Sequence, residues 1–397
     1  MFAVPDVADL KRRACAVVDQ LAPRLIELSH RIHDNPEFQF EEVKASAWLA
    51  EFLGNEGLPV ELGAAGMPTA FFGKKRGGDG PTVALVAEYD ALRGLGHACG
   101  HNILGTSNVG AAVAVSRLIG EIGGTVEIFG TPAEEGGGGK IPFVKEGYFR
   151  DVAAAVSMHP QGGGRPAGVN GRCLAVIPFV FKFYGKPAHA AGNPQDGRNA
   201  LDALIQTFNG INAMRQHVRS DVRIHGIIRH GGEAANVTPD FTQGEFLVRA
   251  PSAVDVRAVA DRVRACAEAG ALAAGCRVEI EEGPFYEDMV PNAPLNTAML
   301  KNIEALGLPS VPPTDAVGMF GTDLGNVSRA CPTVSASVNI AGPGVHPHQH
   351  EFAVAAASPE GDRAVIDAAK IMAMTAIDVL TDPALREQAA ADFRAAI

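Results

Sequence analysis

The stretch Gly96-His97-Ala98-Cys99-Gly100-His101-Asn102 puts a thiol and two imidazoles within a few positions. It directly follows the apolar run Thr82-Val83-Ala84-Leu85-Val86-Ala87 and its polar end Glu88-Tyr89-Asp90. Extended chain alternates sides with period two, so Cys99 and His101 project to the same side. Thiolate and imidazole suit zinc and its neighbours among the divalent metals. Gly100 between them lacks a Cβ, so the backbone there can approach an ion or take unusual dihedrals. A Cys-x-His pair alone also fits a buried structural cysteine or a nucleophilic cysteine paired with histidine. All three readings stay open at this point.

Ligand-type residues recur downstream. Thr131-Pro132-Ala133-Glu134-Glu135 follows an apolar segment and precedes four glycines, Met158-His159-Pro160 closes another, and His346-Pro347-His348-Gln349-His350 lies near the carboxyl end. Cys99, His101, Glu135, His159 and one histidine of residues 346–350 are too many ligands for a catalytic tetrahedral ion, which takes three protein ligands and a water. Two ions sharing a bridging ligand fit better, and paired ions are a common device for hydrolysing amides or phosphates. Neighbouring glutamates in a loop point different ways. One of Glu134 and Glu135 can therefore bind metal while the other takes a proton from water and passes it to a leaving amine.

The spacing of apolar residues predicts amphipathic helices over residues 7–32 and 41–55. His30 and His33, at the end of the first, are helix-end or surface residues. A β-α-β-α-β alternation follows, with strands at 82–88, 126–129 and 153–158 and helices at 103–122 and 141–146. Such alternation means a parallel sheet covered by helices, with the chemistry outside the carboxyl ends of the strands. All three strand ends carry the ligand-type residues named above, Asp90 among them, and one shared sheet edge would bring them together.

From residue 177 the pattern changes to strands at 179–183, 222–228, 241–248 and 277–280 with helices at 199–218 and 254–274, the β-α-β-β-α-β order of a ferredoxin-like domain. The expected fold is α/β. A mainly parallel-sheet catalytic domain with helices on both faces comprises residues 1–175 and 289–397, and an inserted ferredoxin-like α+β domain comprises 176–288. Residues 290–397 hold the Gly-rich 318–325, the histidine cluster and a final helix.

A chain of 397 residues that is 47% hydrophobic can bury full cores. A formal net charge of −11 with mixed signs speaks against nucleic acid and anionic membrane as partners. The first residues lack a basic-then-apolar leader pattern, and no apolar run is expected to span a membrane. Six cysteines without framework spacing fit reduced thiols. The expectation is a cytoplasmic protein.

These motifs together resemble the co-catalytic metallopeptidase superfamily of aminoacylases and glutamate carboxypeptidases. The likeness is to its amidohydrolase branch of auxin-conjugate hydrolases, aminobenzoyl-glutamate hydrolases and β-alanyl dipeptidases. It covers nearly the whole chain. It rests on the segments quoted above and on Gly185-Lys186-Pro187-Ala188-His189-Ala190-Ala191, Asn236-Val237-Thr238-Pro239 and Gly321-Thr322-Asp323-Leu324-Gly325-Asn326-Val327-Ser328.

The resemblance implies that Cys99, His101, Glu135, His159 and His348 are metal ligands and Glu134 the general base, with His346 and His350 near the site or on the surface. It implies that the inserted domain is a lid and dimerisation domain, whose His189 reaches a neighbouring active site across a homodimer to stabilise the oxyanion. It also implies that Asn236 and Arg249 hold the substrate's carboxylate and that Asp323 is a substrate-binding position. Two departures stand out. Asn102 replaces an aspartate, pulling the likeness toward the β-alanyl dipeptidase and aminobenzoyl-glutamate subgroup and leaving the metals a higher net charge. Arg93 replaces a proline, which points to a different recognition by that loop.

The resulting expectation is a binuclear metal-dependent hydrolase that cleaves the amide bond of small N-acyl amino acids or dipeptides. Its cofactors are two divalent ions, zinc or manganese foremost and cobalt or nickel as further candidates. Its partners are a small-molecule substrate and a second copy of the chain, with further assembly open. The alternative is a metal-dependent aminohydrolase that removes an amino group from an aromatic or amidine-like small molecule.

Overall fold

The computed structural model describes residues 6–397 except Asn170 and Asp315; residues 1–5, part of the leader reading, lie outside the described residues. The chain divides into two compact units, one of Met1–Arg172, Met289–Ala316 and Asp323–Ile397, the other of Cys173–Asp288 and Val317–Thr322.

In the first unit Asp6 caps α1 (Val7–His33), accepting from Ala8 N–H at 3.0 Å, and Leu10, Val18, Leu25 and Ile32 lie on its buried stripe. There follow α2 (Val43–Asn55), β1 (Val60–Leu62), β2 (Phe71–Arg76), β3 (Thr82–Ala87), α3 (His101–Ile122), β4 (Thr125–Gly130), α4 (Lys140–Lys145), β5 (Val152–Gln161) and β6 (Gly168–Val169). The second unit is β7 (Ala175–Tyr184), α5 (Ala200–Met214), β8 (Arg223–His230), β9 (Phe241–Ala250), α6 (Ala253–Ala274) and β10 (Arg277–Glu282). The chain then returns to the first unit for α7 (Ala293–Ala305), α8 (Leu324–Ser328), β11 (Thr333–Asn339), α9 (His350–Ala355), α10 (Pro359–Thr381) and α11 (Pro383–Ala396).

The first unit holds a seven-stranded sheet in the order β1-β2-β4-β3-β5-β11-β6. Its centre, β4-β3-β5-β11, is parallel, and antiparallel pairings at β1–β2, β2–β4 and β11–β6 finish its two sides. β3 and β4 are buried almost throughout, as strands covered on both faces must be. Helices α1, α3 and α10 pack on one another. Gly110 of α3 permits this, since a Cβ there would stand 2.8 Å from the Leu25 side chain of α1.

By length and mean composition α3 could cross a membrane, but polar residues interrupt it and 89% of its apolar window is buried inside the protein, which accounts for that composition. One expectation needs correction. The carboxyl-terminal segment also carries a central strand, β11, in register with β5 through pairs such as Ser337 with His159. Its Thr-Val-Ser-Ala-Ser-Val core is buried but small, so it lacks the large apolar residues that mark the other strands.

The second unit has the β-α-β-β-α-β order and a four-stranded antiparallel sheet, β10-β7-β9-β8. β9 alternates buried and half-buried residues, and Phe179, Phe181, Phe183 and Phe246 fill a core under α5 and α6. The 317–322 segment belongs to this unit, with Leu174 N–H donating to the Phe320 carbonyl at 2.8 Å.

Candidate metal centre

Because β4, β3 and β5 are adjacent and parallel, the loops leaving their carboxyl ends share one edge. β3 runs into Glu88-Tyr89-Asp90, β4 into residues 131–135, and His159 lies near the end of β5. Gly100 is left-handed, with φ 77°, and turns the chain so that α3 starts at His101. His348 enters from the carboxyl-terminal segment with φ 69°, its N–H donating to the Ala98 carbonyl at 2.8 Å.

Cys99 is shared by two of the three ligand groups, and His101 by another two. Cys99, His101 and His159 each bring one ligand atom into a group whose members lie within 4.8 Å of one another, and Cys99, Glu135 and His348 form a second group of that kind. Cys99 Sγ is 3.5 Å from His159 Nε2, and Glu135 Oε1 is 3.5 Å from His348 Nε2. Glu134 turns the other way, its Oε2 3.9 Å from His101 Nε2, in a third group with Glu88. The neighbouring glutamates therefore diverge, as residues in a loop are expected to.

Asp90 orients the histidine. The Asp90 carbonyl and Oδ1 lie 3.1 and 3.0 Å from His101 Nδ1; both are acceptors, so Nδ1 carries the proton. His101 Nε2 is left buried without a hydrogen-bond partner, and so is Glu135 Oε1. A thiol, converging imidazoles and two unsatisfied buried acceptors form a donor set that fits divalent cations. Burial, and then the charge of Glu135, push the Cys99 thiol well above its ordinary range. Burial, with Glu88 and Glu135 nearby, likewise holds the Glu134 carboxyl well above the usual carboxylate range.

Lys140 carries charge beside the cluster and is a position that sequence spacing does not single out. Its fully buried ammonium donates to Glu88 Oε1 at 2.7 Å and to Asp323 Oδ1, while its backbone N–H donates to Asp323 Oδ2 at 2.9 Å. Burial works against the charged form, but the carboxylates of Asp323 and Glu88 outweigh it and hold Lys140 as a cation. Asp323, the expected substrate-binding position, is 0% exposed and both its oxygens are engaged by Lys140. Replacing Lys140 with Met would leave two buried carboxylates without their cation. The expected cost is about 3–5 kcal/mol, read as a lower urea midpoint in chelator-treated protein. An unchanged midpoint would show that Glu88 and Asp323 do without the ammonium.

The other predicted positions divide by unit. Asn102 is buried and donates to Ser29 Oγ and the Ala356 carbonyl at 2.9 and 3.0 Å, a packing role for the residue that replaces aspartate. Arg93 lies over the Phe38 ring, with Glu41 at 3.3 Å. His346 and His350 are exposed, and neither belongs to the ligand groups found among the described residues. In the second unit, exposed His189 bridges Val237, next to exposed Asn236, and Arg249 lies half-buried on β9. His189 Nδ1 accepts from the N–H groups of Ala191 and Gly192 at 3.2 and 3.0 Å, so in the neutral ring the proton sits on Nε2.

Residues 82–372 match the model of peptidase family M20/M25/M40. The chain is 35% identical to the Xaa-Arg dipeptidase of Mus musculus, an alignment covering 97% of this chain and 92% of that one. It is 37% identical to one subunit of the p-aminobenzoyl-glutamate hydrolase of Escherichia coli (strain K12), over 72% of this chain and 63% of the relative. Among solved structures it superposes on a dinuclear metal binding peptidase from Bacillus subtilis with a TM-score of 0.67 at 22% identity, covering 91% of this chain and 99% of that one.

Proposed function

Because this chain belongs to peptidase family M20/M25/M40 and is a hydrolase of that family, we propose that it cleaves the amide bond of small dipeptides or N-acyl amino acids with two divalent metal ions seated on a shared Cys99. The observation that carries this reading is the membership of Cys99 in two ligand groups at once. One ion would be held by Cys99, His101 and His159, the other by Cys99, Glu135 and His348. When bound, the pair supplies Lewis acidity to the scissile carbonyl and acidifies the attacking water.

The remaining work falls to side chains. Glu134 takes the proton from water and returns it to the leaving nitrogen. His189 donates from Nε2 to the developing oxyanion of a neighbouring subunit. Asn236 and Arg249 receive the carboxylate of the released amino acid. The dimer would form through the second unit, whose edge strand β8 exposes Ile227 and Ile228. Six free cysteines accord with a cytoplasmic setting.

The relatives named above carry Xaa-Arg dipeptides and p-aminobenzoyl-glutamate in their names. Assays for free amino acid should therefore begin with those compounds and with simple N-acyl amino acids. Ammonia without a free amino acid would move the reading to the aminohydrolase alternative.

The role across subunits has its own test. Homodimers of His189→Ala and of Glu134→Gln should both be nearly inactive. Mixed dimers should recover activity, because one of their two sites combines an intact Glu134 with the partner's intact histidine. Mixed dimers no more active than the parents would place His189 outside the neighbouring site.

A further inference from the structure

We propose that Glu42 is a positioning residue that sets the divergence of Glu134 and Glu135; this rests on the separate roles given to those two glutamates above. Ala133, directly before the pair, has φ 59°, a conformation that L residues rarely adopt and keep only when their surroundings impose it. The peptide groups on both sides of it are tied. Its N–H donates to Glu42 Oε1 at 2.9 Å, and its carbonyl accepts from the N–H groups of Gly137 and Gly138 at 2.8 Å each. One residue beyond Glu134, the Glu135 N–H donates to Asp90 Oδ2 at 2.9 Å. The backbone bearing Glu134 is therefore held between two carboxylates from distant parts of the chain.

Glu42 is built into this place. It is 0% exposed, its Oε1 also accepts from Phe40 N–H at 3.0 Å, and Thr69 Oγ1 donates to its Oε2 at 3.2 Å. It belongs to none of the ligand groups among the described residues and reaches the site through the Ala133 peptide. Asp90 already has a reason to be present, since it orients His101. Glu42 also ties the left-handed Phe40 and Thr69, and what its bond to Ala133 explains is a left-handed alanine where the loop turns its two glutamates apart. Without that bond Ala133 would relax toward ordinary dihedrals, carrying Glu134 away from His101 and Glu135 away from His348.

Reach and charge can be separated. Glu42→Gln keeps an oxygen for the two N–H groups, and its amide can donate to the Thr69 hydroxyl. Glu42→Asp keeps the charge but withdraws it by one methylene. The expected result is that Glu42→Gln stays close to wild type in kcat and metal content. Glu42→Asp should lose about tenfold or more in kcat and release metal at lower chelator concentration, with KM little changed.

Adding Ala133→Gly to Glu42→Asp should restore part of both losses, because glycine takes the left-handed conformation freely. A wild-type Glu42→Asp, or a Glu42→Gln as impaired as Glu42→Asp, would overturn the inference. If Glu42→Asp does not fold, the double variant decides alone, and its failure to recover folded protein overturns it. Glu134→Gln, assayed alongside, separates the two ideas. If Glu134→Gln stays active, the reading of the site has failed; if it is inactive while Glu42→Asp is normal, only the positioning role has.

Discussion

Replacing Glu134 with glutamine is expected to lower kcat by about 10²–10⁴-fold while metal content stays at the wild-type level. Glutamine has nearly the same shape and still fits the buried pocket beside His101 and Glu88, but it cannot accept the proton. Glu134 is placed for that step by its position beside His101. Glu134 is a member of neither group that contains Cys99, although it lies beside His101, so its loss should not empty them. Parallel measurement of kcat and bound metal checks this. A variant that loses its metal together with its activity would instead make Glu134 a ligand, and one that keeps substantial activity would remove it from the chemistry.

Cys99→Ala is expected to abolish activity for a different reason. The thiol belongs to two ligand groups, so under the proposed arrangement its removal would take one ligand from each ion, whereas His348→Ala would take one ligand from a single group. Apparent metal affinity should fall by at least about 100-fold in Cys99→Ala, leaving protein stripped of both ions by gel filtration. His348→Ala should keep one ion under the same conditions. The alanine variant of Cys99 is small enough to avoid overpacking this nearly buried position. If it retains both ions, the shared-thiol arrangement is wrong. If the two variants lose metal equally, the division into two groups is.

What could be seen in the sequence follows from how each position is determined. The runs at β3, β4 and β5 are long and apolar, and alternation with helices implies parallel strands, so the convergence of Cys99, Glu135 and His159 on one edge followed from pattern alone. The selection of His348 among three nearby histidines came from family resemblance. What singles it out physically is a left-handed turn tied to Ala98, which spacing does not reveal.

Lys140 is the clearest limit. A lysine after four glycines has the composition of a solvated loop, and only the meeting of Glu88 and Asp323 around it makes a buried cation tolerable. The pairing of Asp323 with Lys140 is invisible in the sequence for the same reason, since the two lie far apart in the chain. Glu42 begins a helix like any acidic residue near an amino terminus, and its bond to Ala133 exists only in three dimensions. Pattern finds residues that face one another across regular elements. It does not find those that hold an irregular turn.

The most direct test of the central claim is the metal content of the purified chain, measured by mass spectrometry together with amino acid release from a dipeptide before and after chelation. The expected result is close to two divalent ions per chain, loss of amino acid release on chelation, and its return when metal is restored. Metal-free protein whose activity survives chelation and disappears on thiol alkylation would contradict it, and would return Cys99 to the role of nucleophile.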